Sequence, residues 1–140
     1  MAQILMILGL AIMGILGTIH LVFTFFTNKF NAFDITVTEG MKNSTLILTK
    51  ETSVWNAWIG FNASHSLGVM FFAAIYIYLC LFHFSIVKSS VWLAALPVLF
   101  SLCYLVLAII YWFSVPFMGI LISTVCFVCA FSLIVLKISQ

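Results

Sequence analysis

The residues best equipped for chemistry cluster in Trp55-Asn56-Ala57-Trp58-Ile59-Gly60-Phe61-Asn62-Ala63-Ser64-His65-Ser66-Leu67-Gly68. On a helix, Trp58, Asn62, His65 and Ser66 share one face at spacings of three and four. Gly60, Ser64 and Gly68 recur every four residues, the small-xxx-small pattern that lets a second helix approach closely. His20 lies near the end of an earlier apolar run, at a depth comparable to that of His65, and Thr24 follows it one turn later on the same face. Ionisable groups inside an apolar span are costly, so two at matched depth define a candidate site: His20, Asn62, His65 and Ser66. Such a pair can carry a proton, or ligate a metal or haem iron. Each histidine can equally be neutral and hydrogen-bonded to Asn, Ser or a carbonyl, interhelical glue of about 0.6 kcal/mol per contact. His83 reads as a residue of the membrane interface.

A second constellation is Cys126-Phe127-Val128-Cys129. A CxxC pair exchanges electrons when its thiols come within disulfide reach and one is activated as a thiolate. Here no charge lies nearby, and a regular helix gives an i,i+3 pair poor disulfide geometry. Cys126 and Cys129 are therefore either a redox pair or, more simply, buried apolar side chains. The motif resembles the vitamin K epoxide reductase family, a four-helix bundle with CxxC in its last span. The resemblance covers that span only. The family relays electrons through a second cysteine pair in its large loop, and the corresponding loop here has none; Cys80 and Cys103 lie in other apolar runs.

The elements that must position these residues follow from composition. Apolar residues make up 66% of the 140 and charged residues 6%, with a mean hydropathy of +1.34. A soluble surface needs about a quarter charged residues, so this chain uses lipid as its solvent. Its five cations are all lysines, and Lys29, Lys42, Lys50, Lys88 and Lys137 are too scattered to form the basic face that nucleic acid requires. Asp34, Glu39 and Glu51 all fall in one polar segment. The small four-span drug exporters, which resemble the chain in size, use an acidic residue inside a span, and here none is available. Nor does the sequence contain a Ser-His-Asp set, a phosphate-cradling glycine loop or an acid pair in a span, so no catalytic residue is assigned.

Charges divide the chain into four spans at 4–26, 54–84, 90–113 and 116–136, with a polar loop at 27–53. The last two spans share an uncharged run that would reach about 70 Å as one helix, more than twice the hydrocarbon thickness. Ser114-Val115-Pro116 is the natural break, since proline suits the first turn of a helix. Pro97 falls inside the third span, where neighbouring helices can satisfy the carbonyl it frees. The expected fold is an all-α integral membrane protein, a four-helix up-down bundle with both termini on one side. In the loop, Asp34–Thr38 and Thr45–Thr49 are β-branched stretches around a turn at Gly40–Asn43, which predicts a short β-hairpin or an extended, unpaired loop. Lysines number three in the loop against two on the terminal side plus the α-amino group, so the positive-inside rule does not separate the faces. Cytoplasmic termini and an extracytoplasmic loop are the working expectation.

As a whole the chain resembles small uncharacterised bacterial four-span membrane proteins. The resemblance rests on the histidine ending span one, the polar first loop and the Trp-x-x-Trp-x-Gly-Phe-Asn-x-Ser-His-Ser-x-Gly entry to span two, and it implies a bacterial inner membrane. The sequence thus supports a non-enzymatic accessory or self-associating subunit, homo-oligomeric or part of a larger membrane complex, with a polar site between spans one and two. The alternatives are a cofactor, metal or small-ligand site on His20 and His65, and thiol redox chemistry at Cys126 and Cys129. No cofactor is required by the sequence, with haem or a metal at the two histidines as the exception.

Overall fold

A computed structural model describes residues 1–138. Among these residues the chain is all-α, with α1 (Ala2–Phe26), α2 (Ile35–Asn43), α3 (Val54–Phe82), α4 (Phe84–Ser89), α5 (Val91–Tyr111) and α6 (Ser114–Ile138). Four of them, α1, α3, α5 and α6, are long and apolar enough to cross a bilayer, and the protein is an integral membrane protein of the four-span helical class. At about 1.5 Å per residue, even the 21 residues of α5 cover a hydrocarbon layer of about 30 Å. Large side chains such as Ile4, Phe71, Ile109 and Val115 remain exposed along these helices, a surface that lipid solvates. Two compact units result, one of residues 1–16 with 70 onward and one of residues 17–69.

The first unit packs segments of all four spanning helices. Without a hydrophobic force between helices in lipid, association depends on close van der Waals fit and interhelical hydrogen bonds. Both are present. Met6, Leu10 and Met13 of α1 are fully buried, as is Phe127 of α6, whose ring lies where a side chain on Gly9 would stand. Gly14 approaches Ala73 of α3, and Gly119 of α6 approaches Leu16. Phe72 of α3 stacks on Phe100 of α5 at 3.9 Å between ring centroids. Gln3 in the first turn of α1 donates to the Cys80 carbonyl, late in α3, at 2.7 Å. Early residues of one helix thus meet late residues of the next, the up-down arrangement.

Pro97 sits buried in α5. It has no N–H to give the carbonyl of Leu93 one turn earlier, and the Tyr76 hydroxyl of α3 donates to that carbonyl at 3.2 Å. The carbonyl freed by proline is satisfied from a neighbouring helix, as the sequence predicts. Tyr76→Phe is therefore expected to destabilise the protein by about 0.6–1.7 kcal/mol, and by less in a Pro97→Ala background, where the helix supplies its own N–H. Reversible unfolding in mixed micelles measures the cycle; strictly additive effects would show that the hydroxyl serves another purpose.

The helix ends differ from the expected spans by one or two residues: α1 begins at Ala2, α5 covers Val91–Tyr111 and α6 begins at Ser114. The second span was expected to run to 84, but α3 ends at Phe82, and His83 (φ −137°, ψ 35°) leaves helical geometry before α4 begins. Pro116, by contrast, falls in the first turn of α6.

The second unit holds the polar loop, and here the hairpin expectation is corrected: among the described residues no strand forms. Its first arm is helix α2. The cause is local. Asp34 caps the helix by accepting from the Thr36 N–H at 2.9 Å and the Thr36 hydroxyl at 2.8 Å, which also holds its carboxyl below the usual carboxylate range. The capping bonds compete with strand pairing for the same β-branched residues. Thr38 is fully buried, its hydroxyl accepting from the Ala32 N–H at 3.2 Å. Glu39 pairs with Lys42 one turn on. The second arm contributes a lone antiparallel bridge between Thr45 and Ser53, closing the chain into α3 rather than onto α2.

Candidate intramembrane polar site

The residues singled out in the sequence do converge in the second unit. His20 lies about four residues before the last turn of α1, and Asn62, His65 and Ser66 lie in the first half of α3. Of the buried positions of α3, Asn62, Ser66, Val69, Ala73, Tyr76 and Cys80 follow one another in alternating steps of four and three and define a packing seam, with Ala63 buried beside it. Asn62 and Ser66 thus belong to the interior of α3, with His65 half-buried beside them.

Hydrogen bonds define the chemistry of the site. The Asn62 Nδ2 donates to the Trp58 carbonyl at 2.8 Å, so its Oδ1 is the atom facing His20 Nε2 at 3.0 Å. An amide oxygen only accepts, so His20 Nε2 is the donor of this bond. The Ser66 hydroxyl donates to the Asn62 carbonyl at 2.9 Å, and the buried Thr24 hydroxyl donates to the His20 carbonyl at 2.8 Å. Each of these two bonds lies within its own helix, one turn back onto the carbonyl of the residue that forms the interhelical pair.

Aromatic rings close the site. The His65 ring lies 5.6 Å from that of His20, and the Phe30 ring lies 4.5 Å from it. Phe61 stacks with His65 at 6.3 Å. Trp58 donates from its indole Nε1 to the Phe30 carbonyl at 3.3 Å, tying the loop to the start of α3. Phe30 was not anticipated from sequence. Its signal is slight: it is one of two phenylalanines, with Phe33, in the polar stretch after α1.

Two neighbouring histidines can carry a proton or bind a small hydrogen-bonding molecule. As metal ligands they supply two imidazoles, and among the described residues no group of three His, Cys, Asp or Glu side chains converges.

The other expected features are placed differently. Gly60, Ser64 and Gly68 lie on the exposed side of α3, and a side chain added at either glycine would meet nothing within 4 Å. Among the described residues no other helix approaches either glycine, because the seam through Asn62 and Ser66 turns the opposite side of α3 inward. Gly9, Gly14 and Gly119 make the close approaches instead. On α6, Cys126 is buried and Cys129 exposed, and both are free, as are Cys80 and Cys103. His83 is exposed, between α3 and α4, with the Tyr78 hydroxyl 3.5 Å from its Nε2.

Comparison with known proteins finds no matching family model, no matching curated protein and no matching solved structure.

Proposed function

We propose that this protein is a non-enzymatic accessory membrane subunit whose working element is the polar site of His20, Asn62 and His65 between its first two spans. The observation that carries this reading is the hydrogen bond from His20 to Asn62 with the His65 ring 5.6 Å from His20. It brings two ionisable side chains from different spans together inside a membrane domain, where such groups are retained for a function. The asparagine fixes the orientation of one histidine, so that His20, with the His65 ring beside it, forms the polar centre of the site. The exposed Gly60, Ser64 and Gly68 face supports assembly, since small residues on a lipid-facing helix admit a second helix closely. A bacterial inner membrane with cytoplasmic termini completes the proposal.

The protein purified from its native membrane in mild detergent tests it. The expected particle is well above the 15.7 kDa of one chain, and His20→Gln and His65→Gln change its bound-ligand content or its assembly. A Soret band or stoichiometric metal, lost in both variants, would replace the accessory reading with a cofactor site. A monomer whose mass, spectrum and stability ignore both substitutions would end the proposal.

A further inference from the structure

The first unit contains a groove unrelated to the histidines. A cavity of about 600 Å³ opens among the first turn of α1, helix α4 and the last turns of α6. Its lining is polar at Ser85, Lys88 and Ser89, spaced three and four apart on α4, and apolar at Phe84, Leu133 and Ile134. All of these residues lie at ends of spanning helices or between them, the level at which lipid headgroups meet the hydrocarbon layer.

Charge identifies the occupant. Residues 1–16 and 70–140 contain two lysines, Lys88 and Lys137, and no aspartate or glutamate at all. The Lys88 ammonium lies 5.5 Å over the Phe84 ring, and the described residues of this unit include no aspartate or glutamate side chain to pair with it. A cation beside an apolar wall at headgroup depth is complementary to an amphiphile, anionic at one end and aliphatic beyond it. Basic pockets between spanning helices recognise anionic headgroups in this way.

We propose that the groove holds one anionic phospholipid, with its phosphate at Lys88 and Ser85 and its acyl chain along Leu133 and Ile134. Inorganic phosphate shares the charge but not the apolar contact, and a zwitterionic lipid shares the chain but not the net charge. Both serve as controls.

Native mass spectrometry of the full-length protein, after exchange into micelles carrying equal amounts of phosphatidylglycerol and phosphatidylcholine, is the test. The expected result is preferential retention of one phosphatidylglycerol. Lys88→Gln should lower that retention about fivefold, the factor that corresponds to about 1 kcal/mol per surface lysine. Lys88→Arg should keep it, and Lys50→Gln in the loop should leave it unchanged. Inorganic phosphate at millimolar concentration should displace none of it. Equal retention of the two lipids, or indifference to Lys88→Gln in protein of unchanged helicity, overturns the proposal. Complete displacement by phosphate also overturns it, because the apolar wall would then contribute nothing.

Discussion

Gly9→Ala is expected to destabilise the protein by about 1–3 kcal/mol, the range for overpacking a filled interior, while Gly119→Ala is nearly neutral. At both glycines an added Cβ would come within 2.6 Å of another side chain. What differs is the atom it meets. At Gly9 the Cβ would stand 2.6, 2.9 and 3.0 Å from three adjacent carbons of the Phe127 ring, and that ring is fully buried. A flat ring seated on all sides moves only as a whole, so α1 and α6 must separate. At Gly119 the near atom is a terminal methyl of Leu16, the next atoms standing at 3.5 and 3.6 Å, and a rotamer change removes the conflict. Because helices in lipid are held by fit, a small separation of α1 from α6 forfeits many weak contacts together. Reversible unfolding in mixed micelles should separate the two variants, and Phe127→Leu should recover part of the loss in the Gly9→Ala background. Equal effects at the two glycines would show that the ring does not sit against Gly9.

Asn62→Ala is expected to cost about 1–2 kcal/mol, because the substitution removes one side chain that bonds two groups. The Nε2–H of His20 loses its acceptor and the Trp58 carbonyl loses its side-chain donor. With His20→Ala already present, only the second loss remains, so the same change costs less. The difference, the coupling between the two residues, is expected near 0.6 kcal/mol and not above about 1.7 kcal/mol. Asn62→Asp separates the roles: it still accepts from His20 but cannot donate to Trp58, and it places a charge in the site. The expectation is that Asn62→Asp is worse than Asn62→Ala near neutral pH. A coupling of zero would mean that His20 and Asn62 do not bond in the membrane.

Much of this architecture is readable without coordinates. The scarcity of charge dictates lipid as solvent, the spacing of lysines and acids sets the number of spans, and Pro116 marks a helix start because its missing N–H costs nothing there. His20, Asn62, His65 and Ser66 were identifiable as a group because polar side chains in an apolar run stand out against their neighbours.

Three features were decided only by tertiary structure. In a soluble helix the buried side is the apolar side, but a membrane helix is apolar all round, since lipid and protein interior both favour the same residues. Periodicity therefore located the Gly60, Ser64 and Gly68 stripe but could not say whether it faces in or out; the seam through Asn62, Ser66 and Val69 turned it outward. The segment 34–38 has strand-like residues, yet the Asp34 cap and the burial of Thr38 made it a helix, because an N-cap and one buried contact outweigh a weak β preference. The pairing of His20 with Asn62 needs the register between α1 and α3. That register is set by contacts tens of residues apart in sequence, which no local pattern encodes.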